Sequence, residues 1–498
     1  MDFDFDFDFD FDFDFDFDFD FDGTSKKALA IRVRMREKHP MTILPCLVAL
    51  LWTQPAPDPG PGLPRRPYVQ HVTPEGLSLL WQTQRPETCD VRLRSLTTRD
   101  TWERTSGPAQ HHEVRFEGLV PSARYEYTVS TAAGTFRATV RTAPATGSAE
   151  PFTFLVYGDT RNGHGVHRAL AQVMAFDDAD FVIHTGDFVS DGQRHDKWNL
   201  FLEYSWPLMR RMPLYPTLGN HENAFGDGLD LYRRNFEVPD DGPYPEMVYA
   251  FTWGNSRFFV LDTNRPFSGA PQTAWLRTQL AEAALDPRIR HLFVSLHQSA
   301  YTSGPHGPQQ DLLDSGLVDE MRHHGVLMTF SAHDHFYERG RVDGLNYVIT
   351  AGGGAPIYAV KTHHPYSLVT ETVHHYCRLR VEGDLVELTA VRLDGSLLDS
   401  LVLRRAPGAS EGPGPRHVVV REHRATGLEK PAATVAPPAP PPPTFTRPAG
   451  APRSGADSPR PRNPLFGAAL LLGGAAVALL FLALRRRRRG SGRGARPS

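Results

Sequence analysis

Potential metal ligands follow five apolar segments of the chain, and each group comes directly after or at the end of a run of aromatic and aliphatic residues. In chain order, the groups are Gly158-Asp159, Gly186-Asp187, Gly219-Asn220-His221-Glu222, His297 and His333-Asp334-His335. They supply carboxylate, amide and imidazole donors and no thiolate. Such a mixture of oxygen and nitrogen donors suits Zn, Mn or Fe in a catalytic site, rather than a structural zinc site built from cysteines.

The apolar segments predict buried strands that alternate with helices. Strands are predicted at 152–157, 181–183, 292–296 and 326–330, and helices at 166–176 and 273–284. Alternation of this kind predicts an α/β domain over residues 150–404, which ends in hairpin strands over 376–404. Because ligands of open α/β sheets bind outside the carboxyl ends of strands, we expect the five groups to converge on one site.

The order of the five groups resembles that of the calcineurin-like metallophosphoesterases. Tyr337-Glu-Arg and the glycine-rich segment 347–356 narrow the resemblance to the purple acid phosphatase branch. The resemblance implies a four-layer α/β/β/α metallophosphoesterase domain that holds two divalent metal ions of uncertain identity, Zn, Mn or Fe. The ligands that it implies are Asp159, Asp187 and His335 for the first ion and Asp187, Asn220, His297 and His333 for the second.

The resemblance also implies residues that handle protons and bind phosphate. His221, next to a ligand, would face the leaving group as a general acid or a phosphate contact. His306 is a second candidate proton donor, although the sequence favours its interpretation as a solvated loop histidine. Both belong, with Arg161, to the predicted catalytic set.

Two residues depart from the family pattern at the first ion. Arg161 stands where the general family has histidine, and Ser190 stands where the purple branch has tyrosine. The first ion therefore lacks a fourth protein ligand, which His164, His167 or water could supply. Arg161 could instead bind the substrate phosphate, since a guanidinium matches two phosphate oxygens. Without a tyrosinate ligand, we expect a colourless protein that works with divalent metals.

Residues 64–144 predict an all-β module in front of the α/β domain. Apolar residues alternate with polar ones around Trp81, and Tyr125 follows a Leu-x-Pro turn in the manner of a tyrosine corner. Through Tyr68-Val-Gln and Trp81-Gln-Thr, the segment resembles a fibronectin type III sandwich, and more narrowly the N-terminal domain of plant-type purple acid phosphatases. We expect Trp81 in the core.

The C-terminal part of the chain predicts a membrane anchor. Residues 465–484 carry no charge and, as a helix, would span about 30 Å, the thickness of the hydrocarbon core. Five arginines follow at once, so the basic tail 485–498 is expected in the cytoplasm. Residues 405–464 are rich in proline, alanine and glycine and predict a linker between the membrane and the domain.

The N-terminal part predicts secretion. Residues 35–56 have the basic and then apolar layout of a signal peptide, but residues 2–22 are a strict Asp-Phe alternation. We interpret residues 1–34 as an incorrectly assigned start, with translation from Met35 or Met41; an aggregating or adhesive tail is the alternative. Both ends together predict a membrane-anchored protein whose catalytic domain lies outside the cytoplasm.

Charge and cysteine content exclude other classes. The net charge of −3 includes eleven aspartates of the Asp-Phe run; outside it 54 basic residues face 46 acidic ones, and seven of the arginines lie in the last fourteen residues. Because the chain between the Asp-Phe run and the basic tail is nearly neutral, no nucleic-acid partner is expected. No protein partner is predicted. Three cysteines exclude a disulfide-built domain, and we expect Cys89 and Cys377 as free thiols.

The sequence therefore favours an extracytoplasmic hydrolase of phosphate esters, a phosphomonoesterase similar to acid phosphatases. A phosphodiesterase or nucleotidase on the same site is the alternative enzyme. A catalytically degenerate surface binding protein is the alternative outside enzymes, because the first ligand set is incomplete.

Overall fold

Three β-sheets carry the part of the protein that the structure describes. The computed structural model describes residues 63–223, 228–406 and 416–424. The predicted signal peptide, the predicted membrane helix 465–484 and the basic tail lie outside these residues. Within them, no helix has both the length and the apolar character needed to cross a bilayer.

Five antiparallel strands form the N-terminal all-β module. They are β1 (Arg65–Gln70), β2 (Gly76–Ser95), β3 (Thr101–Glu117), β4 (Arg124–Thr131) and β5 (Gly134–Arg141). The first half of β2 pairs with β1 and its second half pairs with β4, while β3 follows β2 along both halves. Irregular register between Gln82 and Cys89 marks the change from one half to the other.

The core of this module agrees with the predicted alternation. Leu77, Leu79 and Trp81 are all buried. The predicted tyrosine corner is confirmed, because the backbone N–H of Val120 donates a hydrogen bond of 2.8 Å to the buried phenol oxygen of Tyr125. The fibronectin type III assignment of the module stays a prediction.

The next sheet brings together the start and the end of the α/β domain. Its seven strands are β6 (Phe152–Tyr157), β7 (Phe181–His184), β8 (Leu214–Pro216), β16 (His375–Glu382), β17 (Leu385–Arg392), β18 (Leu397–Arg405) and β19 (His417–Arg424). They pair in the order β19-β18-β17-β16-β6-β7-β8. The strands β6, β7 and β8 are parallel, so their carboxyl ends lie at one edge.

The third sheet is built from the middle of the chain. Its strands are β9 (Tyr249–Trp253), β10 (Ser256–Val260), β11 (His291–Gln298), β12 (Met328–Ala332), β13 (Tyr337–Val342), β14 (Leu345–Thr350) and β15 (Ser367–Glu371). They pair in the order β15-β13-β14-β12-β11-β10-β9. The four inner strands β10, β11, β12 and β14 are parallel. Their neighbours β9 and β13 run antiparallel to them, and the edge strand β15 is antiparallel to β13.

An aromatic layer joins the two seven-stranded sheets. Phe154 of β6 meets Phe258 of β10 edge to face at 5.2 Å between ring centroids, and meets Phe293 of β11 at 5.5 Å. Phe181 of β7 stacks on Phe154 and contacts Phe258 at 5.3 Å. These contacts bury large apolar surfaces and fix the two sheets against each other, which sets the distance between their strand ends.

Helices cover the outer faces of both sheets. Their bounds are α1 (His164–Met174), α2 (His195–Met209), α3 (Asn220–Asn223), α4 (Gly228–Asn235), α5 (Pro271–Leu285), α6 (Gln310–Asp314) and α7 (Leu317–His323). The helices α1, α2 and α4 share a core with the sheet that contains β6, and α5, α6 and α7 share one with the other sheet. The order of layers is thus helix, sheet, sheet, helix.

The α/β domain extends further along the chain than the sequence predicted. Strand β19 lies inside the segment interpreted as linker and extends the sheet beyond residue 404. Its Val418 and Val420 are half exposed, so this edge strand lacks the fully apolar signature of the buried strands.

Cys89 and Cys377 are buried free thiols, in the all-β module and in β16 respectively.

Candidate metal centre

The five predicted ligand groups meet where the two seven-stranded sheets face each other. Their donor atoms form two clusters, Asp159, Asp187 and His335 in the first and Asp187, His297 and His333 in the second. Within each cluster all donor atoms lie within 4.8 Å of one another. Asp187 belongs to both clusters. This is the arrangement that a pair of ions sharing one carboxylate requires.

Three of these residues adopt left-handed backbone conformations. The φ angles are 55° at Asp159, 56° at Asp187 and 71° at His333. A residue with a Cβ held there costs about 1–3 kcal/mol, so it persists only where the surrounding packing imposes it. In all three cases the turn directly follows a buried strand and directs a polar side chain across the strand ends.

Two glycines allow the loops to approach closely enough. A Cβ on Gly186 would stand 2.6 Å from Nδ1 of His297, and Gly186 itself has a φ of 103°. A Cβ on Gly219 would stand 2.2 Å from the backbone nitrogen of Asp187. Both contacts are shorter than any real side chain tolerates, so the glycine before each ligand sets the spacing between loops.

The second cluster presents lone pairs that face each other. His297 donates from Nδ1 to the carbonyl oxygen of Thr185 at 2.8 Å, which leaves its Nε2 as an acceptor. That Nε2 lies 3.0 Å from Oδ1 of Asn220, which is also an acceptor. Burial, together with neighbouring His297 and His306, lowers the pKa of His333 to about 3, so its ring is neutral near pH 7. Imidazole nitrogens that face an amide oxygen, with the His333 ring neutral, suit a divalent ion.

The first cluster holds a buried carboxylate oxygen without a hydrogen-bond donor. Oδ2 of Asp159 accepts the backbone N–H of His333 at 3.0 Å, but its buried Oδ1 has no hydrogen-bond partner. His335 donates from Nδ1 to the carbonyl oxygen of Pro356 at 2.7 Å and turns Nε2 to within 3.1 Å of that same Oδ1. Since such an oxygen is costly to bury alone, the residues of this cluster also fit a cation.

Comparison with known proteins assigns the domain that carries this site. Residues 152–337 match the family model of the calcineurin-like phosphoesterases. These residues form a calcineurin-like phosphoesterase domain. An uncharacterized protein of Mycobacterium tuberculosis is 30% identical over 164 residues, which are 28% of this chain and 30% of that protein. The chain therefore spans about a third of the length of this relative.

More distant relatives cover more of the chain. Acid phosphatase type 7 of Mus musculus is 24% identical over 335 residues, which are 56% of this chain and 73% of the mouse protein. Among solved structures, a purple acid phosphatase from seeds of yellow lupin (Lupinus luteus) superposes with a TM-score of 0.59 at 17% identity, covering 68% of this chain and 73% of the lupin chain. The structure of PhoD gives 0.58 at 13% identity, covering 76% and 94%. At such identities the two structures establish the fold alone.

The structure brings the predicted catalytic histidines to the mouth of the site. His221 donates from Nδ1 to the carbonyl oxygen of Ser190 at 3.0 Å, and its Nε2 lies 3.8 Å from Oδ2 of Asp187. The ring of His306 lies 4.2 Å from that of His333, and its Nδ1 is 2.7 Å from Oδ1 of Asp334. The side chain of His306 is 42% exposed, so it is both solvated and adjacent to the phosphoesterase site.

Neither histidine considered for the vacant family position reaches the first cluster. His167 is buried in the adjacent core, where its Nε2 lies 3.1 Å from Oγ of Ser205 and its ring stacks on Phe201. His164 packs beside Tyr204. Helix α1 directs both side chains toward α2, so spacing along the chain alone misplaced them.

Arg161 turns into the first cluster instead of outward. Its Nε donates to Oδ2 of Asp187 at 3.0 Å, and one terminal nitrogen lies 3.3 Å from Nε2 of His335. Only 14% of its side chain is exposed. The carboxylate of Asp187 is surrounded by His297, His221 and Arg161; burial alone would raise its pKa, but these groups outweigh burial and lower it.

Three residues near the ligands were not predicted. Glu222 is buried and accepts hydrogen bonds from the backbone N–H groups of Asp187 and Gly219, both at 3.0 Å, and of Val189 at 3.2 Å.

The other two residues contact the histidines of the site. Asp334 orients His306 through the hydrogen bond from its Nδ1. Tyr358 stacks on His335 with 4.1 Å between ring centroids. Glu222 and Asp334 stand within the ligand motifs and could have been identified there, whereas Tyr358 lies in a loop without any motif.

Loss of a second-cluster ligand should remove metal and activity together. We expect His297→Ala and His333→Ala each to lower bound metal to one ion or fewer and to reduce hydrolysis by several orders of magnitude, because the ligand set is broken. Metal analysis of the purified variants and a phosphate-release assay measure both. His195→Ala, at an exposed position of α2, is the control. Full activity and full metal content in either variant would mean that the cluster is structural.

Glu222 should be required for the shape of the site. In Glu222→Gln, the amide nitrogen cannot accept hydrogen bonds, so at least one of the three buried backbone N–H groups loses its partner at a cost of about 1–3 kcal/mol. We expect a lower Tm and less bound metal, since the loop that carries Asp187 is released. Calorimetry and metal analysis test this, with Glu103→Gln, an exposed glutamate, as the control. A Tm equal to that of the parent would contradict the assigned role.

Proposed function

We propose that the phosphoesterase domain hydrolyses phosphate esters with two divalent metal ions, and that phosphate monoesters are its substrates. The observation that supports this most directly is that Asp187 is shared by two clusters, each with at least one imidazole, whose members are all buried except the half-buried His333. The family of the domain supports the chemistry, and the similarity to acid phosphatase type 7 supports the class of ester.

The proposed ligands divide between the two ions in the way that the resemblance implied. Asp159, Asp187 and His335 would hold the first ion, and Asp187, Asn220, His297 and His333 would hold the second. When bound, such ions activate water and neutralise charge on the phosphoryl oxygens. The donor set of carboxylate, amide and neutral imidazole fits Zn, Mn or Fe in the divalent state.

Two histidines are positioned to handle the proton of the leaving group. His221 donates a hydrogen bond from Nδ1 to the Ser190 carbonyl oxygen, so its Nε2 faces the cluster and remains available for proton exchange. His306 donates a hydrogen bond from Nδ1 to Asp334, which also accepts a hydrogen bond of 2.7 Å from Oγ1 of Thr302. A carboxylate behind an imidazole fixes the tautomer and raises the basicity of the other nitrogen. We propose that His306 acts at the more exposed side, where an alcohol product would leave.

The substrate class can be tested with paired chromogenic esters. We expect the metal-loaded chain to hydrolyse nitrophenyl phosphate much faster than bis-nitrophenyl phosphate and to lose activity after chelation, with recovery on addition of Mn or Zn. His333→Ala, treated identically, controls for contaminating phosphatases. Faster cleavage of the diester would favour the alternative, a phosphodiesterase. Bound metal without hydrolysis of either ester or of a nucleotide would favour a surface binding protein.

We further propose that the domain lies outside the cytoplasm and is anchored by the predicted helix 465–484. The charge asymmetry and the proline-rich linker support this topology. Protease added to intact cells should release a soluble, active fragment from the membrane fraction, because the linker is accessible. Cells that express a chain ending before residue 465 provide the control, since their product should be soluble from the start. A domain that stays protected until lysis would contradict the topology.

A further inference from the structure

The guanidinium of Arg161 contacts two of the three potential metal ligands in the first cluster, Asp187 and His335. It donates to Oδ2 of Asp187 at 3.0 Å and lies 3.3 Å from Nε2 of His335. Backbone contacts fix where this side chain starts, because the N–H groups of Thr160 and Arg161 both donate to the carbonyl oxygen of Asp187, at 3.1 and 3.3 Å. Arg161 is thus tied to the same loop whose carboxylate it neutralises.

The guanidinium of Arg161 and a metal ion would compete for the same ligand atoms of Asp187 and His335. The Nδ1 proton of His335 is committed to the carbonyl oxygen of Pro356, so the ring has a single further nitrogen to offer. A bound ion would be held by the lone pair of that Nε2 and by an oxygen of Asp187. The guanidinium takes the same lone pairs at hydrogen-bond distance, and two positive groups in so small a buried space repel each other.

Arg161 satisfies the first cluster only in part. The buried Oδ1 of Asp159 accepts no hydrogen bond from the guanidinium and faces Nε2 of His335, at 3.1 Å. One positive charge also faces two buried carboxylates, Asp159 and Asp187. The cluster therefore keeps affinity for an ion, but that ion must displace the guanidinium to bind.

Tyr358 completes the surroundings of the guanidinium. Its ring stacks on His335 with 4.1 Å between centroids. Burial raises the pKa of its phenol and the charge of the nearby Arg161 acts to lower it, so Tyr358 is close to both the arginine and the ligand that the arginine contacts. In the second cluster, by contrast, His297 and Asn220 turn acceptors toward each other. The two clusters differ in how much of their charge the chain itself already neutralises.

We propose that Arg161 is a built-in cation that competes with the first metal ion, so that the two clusters bind metal in sequence. The second cluster fills at low metal concentration, and the first cluster fills only when an ion displaces the guanidinium from Asp187 and His335. This goes beyond the proposed function, because it concerns the order and affinity of binding and does not depend on which ester, if any, is hydrolysed.

The order of binding can be measured with Mn²⁺ alone. The metal-stripped full-length chain is titrated with Mn²⁺ while electron paramagnetic resonance follows free Mn²⁺ and the spin-coupled pair. The same titration is carried out on Arg161→Gln, which removes the competing charge, and on Arg161→His, which also adds an imidazole. Arg194→Gln is the matched control, because this exposed arginine pairs with Asp196 away from the clusters.

For the parent chain we expect two steps, with the coupled pair forming only in the second. Both Arg161 variants should strengthen the second step by at least about tenfold, within the range by which groups around a metal site alter affinity, and Arg161→His should do so most. Arg194→Gln should behave as the parent does. Filling of both sites in one step by the parent, an unchanged second step in both Arg161 variants, or no bound Mn²⁺ in any chain would each overturn the proposal. Ordered binding without ester hydrolysis would support it and contradict only the proposed function.

Discussion

Two carboxylates, Asp159 and Asp187, are buried next to each other at the junction of two sheets, and most of the site compensates for their charge. Carrying an unpaired carboxylate out of water costs several kcal/mol, so neighbouring anions cannot persist there without positive partners. The chain supplies backbone N–H groups from His333 and His221 and the guanidinium of Arg161. One oxygen of Asp159 still lacks a partner, which is why the arrangement fits a cation.

Such a site can exist only on a rigid frame. The left-handed turns at Asp159, Asp187 and His333 are unfavourable by themselves, and they are held because the strands before them are locked by the aromatic layer around Phe154 and Phe181. Glu222 links two loops by accepting hydrogen bonds from the backbone N–H groups of Asp187 and Val189 in one loop and from that of Gly219 in the other. The strain of the ligand turns is thus balanced by packing energy gained elsewhere in the domain.

The two clusters are chemically unequal. Helix α1 buries His167 among side chains of α2, so no histidine of that helix fills the vacant family position near Arg161. On our proposal, the arginine at that position provides a permanent positive charge where relatives of the general family have a neutral ligand. This would let the protein keep a charge-balanced fold when only one ion is bound, since the guanidinium already neutralises part of the buried carboxylate charge.

The sequence by itself determined which segments become strands and which polar groups follow them. Phe152–Tyr157 is a strand with the predicted bounds, because a run of six aromatic, aliphatic and β-branched residues with a turn behind it has few alternatives. The ligand groups were predictable for the same reason, since each stands immediately after such a run. The strand β19 was missed because its valines are half exposed at a sheet edge and lie within a segment whose composition indicates a linker.

Only the tertiary structure decided where side chains without a fixed local geometry point. Arg161 could equally have faced a substrate, and its long side chain turns inward because Asp187 and His335 are brought beside it by other strands. His306, Asp334 and Tyr358 meet across the site although 52 residues of chain separate the first from the last. Local sequence fixes backbone conformation through short-range sterics, but these contacts depend on the packing of two sheets, which no local pattern encodes.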